Sequence, residues 1–396
     1  YDQLRGIRAY KDQIRRLMKK EEKRPVSSMP AKISVNFCRD ILGLVFMFSG
    51  VVKAIDPVGT QIKFADYMSA FGLGSLFSDN TLLIFACLLA GFELLLGIYM
   101  TMGAYIRGTS FLIALFMLAV TPFTLYLALK NPVDDCGCFG DVIILTNWQT
   151  FWKNVFLLAL ALYVFIRRRL SVSFVVEEIQ WALTLVSAII IVKFLVGNIN
   201  HLPLLDFKPY KTGTDLRQAV LNGQNPEMAD FFIMDGNLDD VTKDILGYEG
   251  YTFLLVSPYL ESANERNIDL INDIYDYCVK YGYRMYCLTS SGSGVIREWS
   301  DNTGAEYSFL HGDDIPLQTM VRANPGLVLL HNGVIVNKWS HLNIPKESDL
   351  EGPLESVETG MFPAFDPLKT VQGVALLFLM PLLLLGLISL LKSKIQ

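Results

Sequence analysis

Six stretches of the chain are apolar for long enough to cross a bilayer, which takes about 20 residues. They run roughly over 33–54, 81–102, 109–129, 151–166, 178–196 and 371–391. Arg39 and Asp40 interrupt the first. The fourth is short but flanked by Trp148 and Trp152, which suit the membrane interface, and the sixth holds Pro381, which membrane helices tolerate. Between the fifth and sixth the pattern becomes globular. Thr252 to Val256 is a short apolar run ended by Ser257-Pro258, as in a buried strand. Helical spacing over 263–281 puts Ile268, Ile271, Ile274, Tyr275 and Cys278 on one stripe. A second strand follows at 283–288, then a helix at 295–303 stopped by Gly304, then a hairpin, Leu327–Leu330 and Val334–Val336, turning at Asn332-Gly333. This β-α-β-α-β-β order predicts an α/β sheet with right-handed crossovers.

The expected organisation is a basic segment (1–32), a four-helix membrane domain (33–169), a fifth membrane helix (174–198), an α/β domain (200–350), a linker rich in Pro, Gly and acidic residues (351–370) and a sixth membrane helix (371–391). Composition agrees: 52% of the 396 residues are hydrophobic, 18% are charged, and mean hydropathy is +0.36. Membrane lipids are therefore expected partners. A net charge of −5 with no aromatic-laced basic stretch argues against nucleic acid. Positive charge predicts orientation. Arg15, Arg16, Lys19, Lys20, Lys23, Arg24 and Lys32 precede the first span, Arg107 lies between the second and third, Arg167–Arg169 follow the fourth, and Lys392 and Lys394 follow the sixth. With six spans these clusters share one side, the cytoplasm by the positive-inside rule. Both termini are then cytoplasmic, and loops 56–80 and 130–149 and segment 200–369 face outward, on the periplasmic side of an inner membrane. The chain starts at Tyr1 without an initiator Met, and its true N-terminus is expected upstream.

Cys136-Gly137-Cys138, in the polar loop between spans three and four, carries the candidate chemistry. In extended backbone, residues two apart point the same way, and the glycine removes a Cβ that would resist a small ring. A disulfide so closed is strained, hence labile and exchanging. With Cys138 replaced, Cys136 is expected to trap a client as a mixed disulfide. Cys38 and Cys87 lie in spans and read as packing residues, and Cys278 and Cys287 as buried thiols or a structural disulfide. His201, His311, His331 and His341 lack metal-ligand spacing, so no metal site is expected from them.

Two resemblances add to this. Asn324-Pro325-Gly326 leading into the hairpin resembles the thioredoxin fold, which implies a cis Pro325. Where that family carries Cys-x-x-Cys, this chain has Ser257-Pro258-Tyr259-Leu260, so no independent oxidoreductase activity is expected of the domain. Gly43-Leu44-Val45-Phe46-Met47-Phe48-Ser49-Gly50, Lys53-Ala54-Ile55-Asp56-Pro57, Glu93-Leu94-Leu95-Leu96-Gly97, and Cys136-Gly137-Cys138-Phe139-Gly140-Asp141 followed by Trp148 resemble the DoxX-like and MauE families. That resemblance implies a four-helix bundle linked to envelope thiol–disulfide chemistry.

Glu93 reads either as a proton relay or quinone-headgroup contact, or as a protonated carboxyl bonded to Thr121 or to a carbonyl freed near Pro122. Lys53 and Asp56 read as interfacial, snorkelling and ending the first helix, or as charges that tune the thiols and contact quinone. Asp134, Asp135 and Asp141 would raise the thiol pKa values, and 59–71 looks like a surface-lying amphipathic stretch. The leading expectation is a membrane thiol–disulfide protein exchanging with envelope thiols through Cys136 and Cys138, with electrons passing to or from a membrane carrier such as quinone. Its alternatives are a non-enzymatic scaffold subunit of an envelope complex and metal binding by the two cysteines with the aspartates.

Overall fold

The structure is a computed structural model that describes residues 29–133 and 135–395. The basic cluster at 15–24 and Asp134 lie outside the described residues. Among the described residues six helices are long and apolar enough to span a membrane. Counting helices of seven or more residues, α1 is Met29–Ile55, α2 Pro57–Ala70, α3 Asp79–Met102 and α4 Ile106–Lys130. Strand β1 (Cys138–Asp141) precedes α5 (Asn147–Arg167) and α6 (Gln180–Asn200). The spans are α1, α3, α4, α5, α6 and, at the chain's end, α10 (Pro367–Ile395). This is a multi-pass membrane protein.

α1 and α3 form the centre. On one side Leu42, Phe46, Leu96 and Met100 pack with Ile113 and Met117 of α4 and Leu157 and Ala161 of α5. On the other, Ala54, Leu94 and Ile98 pack with Leu183 and Ile191 of α6 and Phe378 and Leu382 of α10. The result is a four-helix bundle with α6 against its α1–α3 face and α10 against α6. Glycines explain the closeness of that pair. A Cβ on Gly50 would lie 2.5 Å from the Leu94 backbone nitrogen, and one on Gly97 would collide with the Met47 backbone. Small residues permit such backbone approach in membranes. Arg39 does not merely interrupt α1: it is fully buried, donating to the Val172 carbonyl and, at 3.2 Å, to Ser171 Oγ.

The α/β domain has β2 (Tyr251–Val256), α7 (Ile268–Tyr281), β3 (Arg284–Thr289), α8 (Ser293–Thr303), β4 (Ser308–His311), α9 (Asp314–Met320), β5 (Gly326–His331) and β6 (Val334–Ser340). The sheet order is β4-β3-β2-β5-β6, with β2, β3 and β4 parallel and β5 and β6 antiparallel to their neighbours. Both faces are covered, which explains the unbroken apolar run of β2. Phe253 and Leu255 face α7 and α8, while Leu254 and Val256 face a layer holding Leu216, Met228, Phe231 and Leu317. Asn332 and Gly333 both have positive φ, as a type I′ turn requires. The Asn324–Pro325 peptide is cis. The architecture is thioredoxin-like. The pattern reading omitted β4 and α9: β4 is four residues of mixed exposure, and α9 is seven residues long.

The domain sits at the end of the bundle that carries the cysteine loop. Arg322 Nε pairs with Asp56 Oδ2 at 3.2 Å, Lys208 with Asp141 at 2.7 Å, and Asn198 of α6 donates to the Ala54 carbonyl at 2.9 Å.

Candidate functional site

The loop between α4 and α5 is stapled at its base. Asn147 Nδ2 donates to Asn131 Oδ1 and to the Val133 carbonyl, both at 2.8 Å, and Asp135 bridges Thr146 in antiparallel fashion. Within this frame Gly137 has φ +62°, so the backbone at the cysteines is turned, not extended as the sequence suggests. Gly140 N closes the turn on the Gly137 carbonyl at 3.0 Å. The turn still brings the two thiols into hydrogen-bonding contact, each reduced and half-buried. A side chain at 137 would meet both an unfavourable φ and the stem of Lys63.

Lys53 sits beneath this turn. It is 4% exposed, and its Nζ donates to Glu93 Oε2 at 2.8 Å, to the Cys138 carbonyl at 2.7 Å and to Ser49 Oγ at 2.6 Å. Ser49 Oγ lies 2.8 Å from both Glu93 Oε2 and the Cys138 carbonyl. The snorkelling expected for Lys53 gives way, because α2 folds back over the end of α1 and closes off the water. The protonated-Glu93 alternative also changes. Thr121 hydroxyl donates to Met117 O at 2.6 Å and faces Asn154 O, while Glu93 is 6% exposed and takes Lys53 and Ser49. A buried carboxylate and ammonium in a membrane bundle hold each other. The close α1–α3 approach at Gly50 and Gly97 places them there.

Asp56 touches neither thiol. It caps α2, accepting from Gly59 N at 2.7 Å, and pairs with Arg322 of the α/β domain. The stretch read as a surface-lying helix is α2, and it lies over the loop: Tyr67 hydroxyl donates to the Cys136 carbonyl at 2.7 Å and Lys63 pairs with Asp135. Asp141 is taken by Lys208. Of the aspartates near the thiols, Asp135 and Asp141 are each engaged by a lysine.

Lys153 escaped the sequence reading because it lies in an apolar span. Its Nζ sits 4.2 Å above the Phe139 ring and it forms no ion pair among the described residues. The two thiols part company electrostatically. The hydrogen bond from Cys136 and then the Lys153 and Lys53 ammonium groups outweigh burial and lower Cys138 from 9.0 to about 6. Cys136, donor in that bond and desolvated, is raised. The favoured reduced state is a Cys138 thiolate beside a Cys136 thiol. Of the two sulfurs Cys138 is the one held in the more nucleophilic form, whereas the sequence suggests Cys136 as the trapping thiol.

Below the thiols is a cavity of about 160 Å³. Cys136, Cys138 and Lys153 line it together with the Lys53–Glu93 pair, and most of the remaining wall is aromatic and aliphatic, including Phe46, Phe116 and Leu157.

Residues 31–167 match the family described as methylamine utilisation protein MauE, one of the two that the membrane half resembles. Protein TlpB of Flavobacterium psychrophilum is 28% identical over 131 residues, 32% of this chain and 35% of that protein, so the match spans about a third of that relative's length. Among solved structures, a candidate protein disulfide isomerase from Bacteroides thetaiotaomicron aligns over 29% of this chain and 76% of its own, with 15% identity and a TM-score of 0.25.

Proposed function

We propose that this chain is a thiol–disulfide exchange protein of the cell-envelope membrane, with Cys136 and Cys138 as the reacting pair. One observation carries the reading: two hydrogen-bonded thiols share a loop stapled at its base with the Lys53 and Lys153 ammonium groups, an arrangement that lowers Cys138 to about 6. Cys138 thiolate attacks a disulfide of an envelope protein, forming a mixed disulfide and expelling the client's second sulfur, which takes a proton from water. Cys136 then loses its proton and attacks Cys138 Sγ. The client leaves as a dithiol and the Cys136–Cys138 disulfide remains. The reverse sequence oxidises a client. Lys53 and Lys153 stabilise the thiolate, and Glu93 holds Lys53 in place. The MauE match and the named relative are compatible with this class of chemistry, and the DoxX-like resemblance adds to it. The basic clusters supply the orientation: loop and α/β domain outward, both termini in the cytoplasm, the membrane being the inner one.

The test is a trap. Cys136→Ser should leave Cys138 joined to a client, giving a higher-mass band that dithiothreitol removes, whereas Cys136→Ser/Cys138→Ser should give none. On that double variant, Ser78→Cys and Lys211→Cys should react with an impermeant maleimide in intact cells and Val172→Cys should not. The second reading, a scaffold subunit, draws on the Arg322–Asp56 pairing, which turns the cysteine-free face beside Pro325 toward the membrane domain. An absent trap together with a fully functional double variant would select the scaffold.

A further inference from the structure

We infer that the cavity beneath the thiols binds a lipid-soluble quinone that accepts the electron pair when Cys136 and Cys138 close into a disulfide; this rests on the exchange reading above. Size comes first. An apolar protein cavity of roughly 150 Å³ takes up one benzene ring, and this one is about 160 Å³. Access comes second. α3 packs closely along α1 and α4 along α5, whereas α3 and α4 meet sparsely. Around that seam Leu89, Phe116 and Val120 line the cavity and are half-buried, and Phe123 is exposed. Because α3 and α4 are membrane spans, the seam opens toward lipid, and an apolar tail leaves by it.

Chemistry comes third. Closing the Cys138 thiolate and the Cys136 thiol into a disulfide releases two electrons and one proton, and a second proton must be supplied. A carrier that reaches the sulfurs from hydrocarbon has to be apolar and accept both, as a quinone ring does. Its oxygens need donors, and the Lys153 ammonium lines the cavity with no ion pair among the described residues. The Cys136–Cys138 bond forms and the ring takes two electrons. One proton comes from the Cys136 thiol and one from the Lys153 ammonium, which solvent then reprotonates. Net, a thiol–thiolate pair, a quinone and one proton from solvent become a disulfide and a quinol.

The experiment uses the full chain in detergent, reduced with dithiothreitol and desalted without oxygen, then mixed with decylubiquinone or menadione. We expect saturable quinone reduction with two thiols lost per quinol formed. Leu89→Trp and Val120→Trp fill the cavity and should lower the quinone-dependent rate at least tenfold relative to the rate with oxidised glutathione on the same sample. Reaction with glutathione but not with either quinone would overturn the quinone inference alone. So would an unchanged ratio in both tryptophan variants. Silence toward glutathione and quinone alike would overturn the exchange reading and this inference with it.

Discussion

The loop of the membrane half and the core of the α/β half each hold two cysteines, and the two settings treat them oppositely. Cys136 and Cys138 lie on a turned loop facing Lys53 and Lys153, and Cys138 is lowered to about 6. Cys278 and Cys287 are buried among Ile271, Ile274, Leu255 and Leu327 in the α/β core, where loss of solvent alone raises both, Cys278 to about 12. The thioredoxin-like half has the fold associated with thiol chemistry but keeps its sulfurs as packing atoms. The membrane half supplies the ionised one. Compartment of charge, not fold, decides which cysteine can react.

The largest expected contrast is therefore the pH profile of alkylation. With a pKa about 6, roughly 90% of Cys138 is thiolate at pH 7, against about 1% for an ordinary thiol near 9. Nucleophilicity falls with pKa at a Brønsted slope of about 0.4–0.5, which takes back more than tenfold of that gain. The net rate advantage at pH 7 is only several-fold, so rate alone is a poor test. The midpoint is the better one: iodoacetamide labelling of Cys138 should be half-maximal near pH 6 and fall as pH drops below it. Cys136→Ala removes the hydrogen bond that does most to lower Cys138 and should move the midpoint upward further than Lys153→Gln. A midpoint near 9 in the parent chain would erase the contrast between the halves.

Next in size is Lys53→Met. It leaves Glu93 buried without its cation, and breaking one partner of a buried pair destabilises by about 3–5 kcal/mol. Lys53→Met/Glu93→Leu should recover most of the stability, measured by thermal aggregation in detergent, without restoring the alkylation midpoint. Recovery of both would mean that Lys53 does not act on the sulfur.

A smaller effect is expected at the join between the halves. Arg322→Ala removes the partner of Asp56, a pair 4% and 16% exposed, and should weaken docking by roughly 1–3 kcal/mol, between the exposed and buried limits. Faster hydrogen exchange in α2 and in the 201–210 segment, with the β2 and β3 core unchanged, would be the signature. No change in α2 would detach the join from the cysteine site.

What could be read from the chain follows its physics. Spans and buried strands repeat locally, so the six helices, β2 and the hairpin were visible as pattern, and Cys136 and Cys138 were visible because they are two residues apart. Lys53 was misplaced because its position near the end of α1 hides the return of α2 over it. Its partner Glu93 is 40 residues away on another helix, and Arg322 meets Asp56 across 266 residues. Periodicity carries no information at those separations. Lys153 was missed because one charge barely dents the hydropathy of a span.

The smallest expected effect tests the other side of the contrast. Cys278→Ala and Cys287→Ala each leave a sulfur-sized void in the core around Phe253 and Leu327 and should destabilise the α/β domain by about 1–2 kcal/mol each. They should not alter trapping by Cys136→Ser or the alkylation midpoint. At pH 7 a thiol near 12 is ionised to roughly one part in 10⁵, and in the folded chain no reagent reaches it. Denaturant-dependent labelling separates the two classes directly. Cys138 should label before unfolding, and Cys278 and Cys287 only through the unfolding transition of the domain. Labelling of Cys278 in the folded chain at the rate of Cys138 would show that the α/β core breathes enough to expose its sulfurs, and the division of labour between the halves would have to be redrawn.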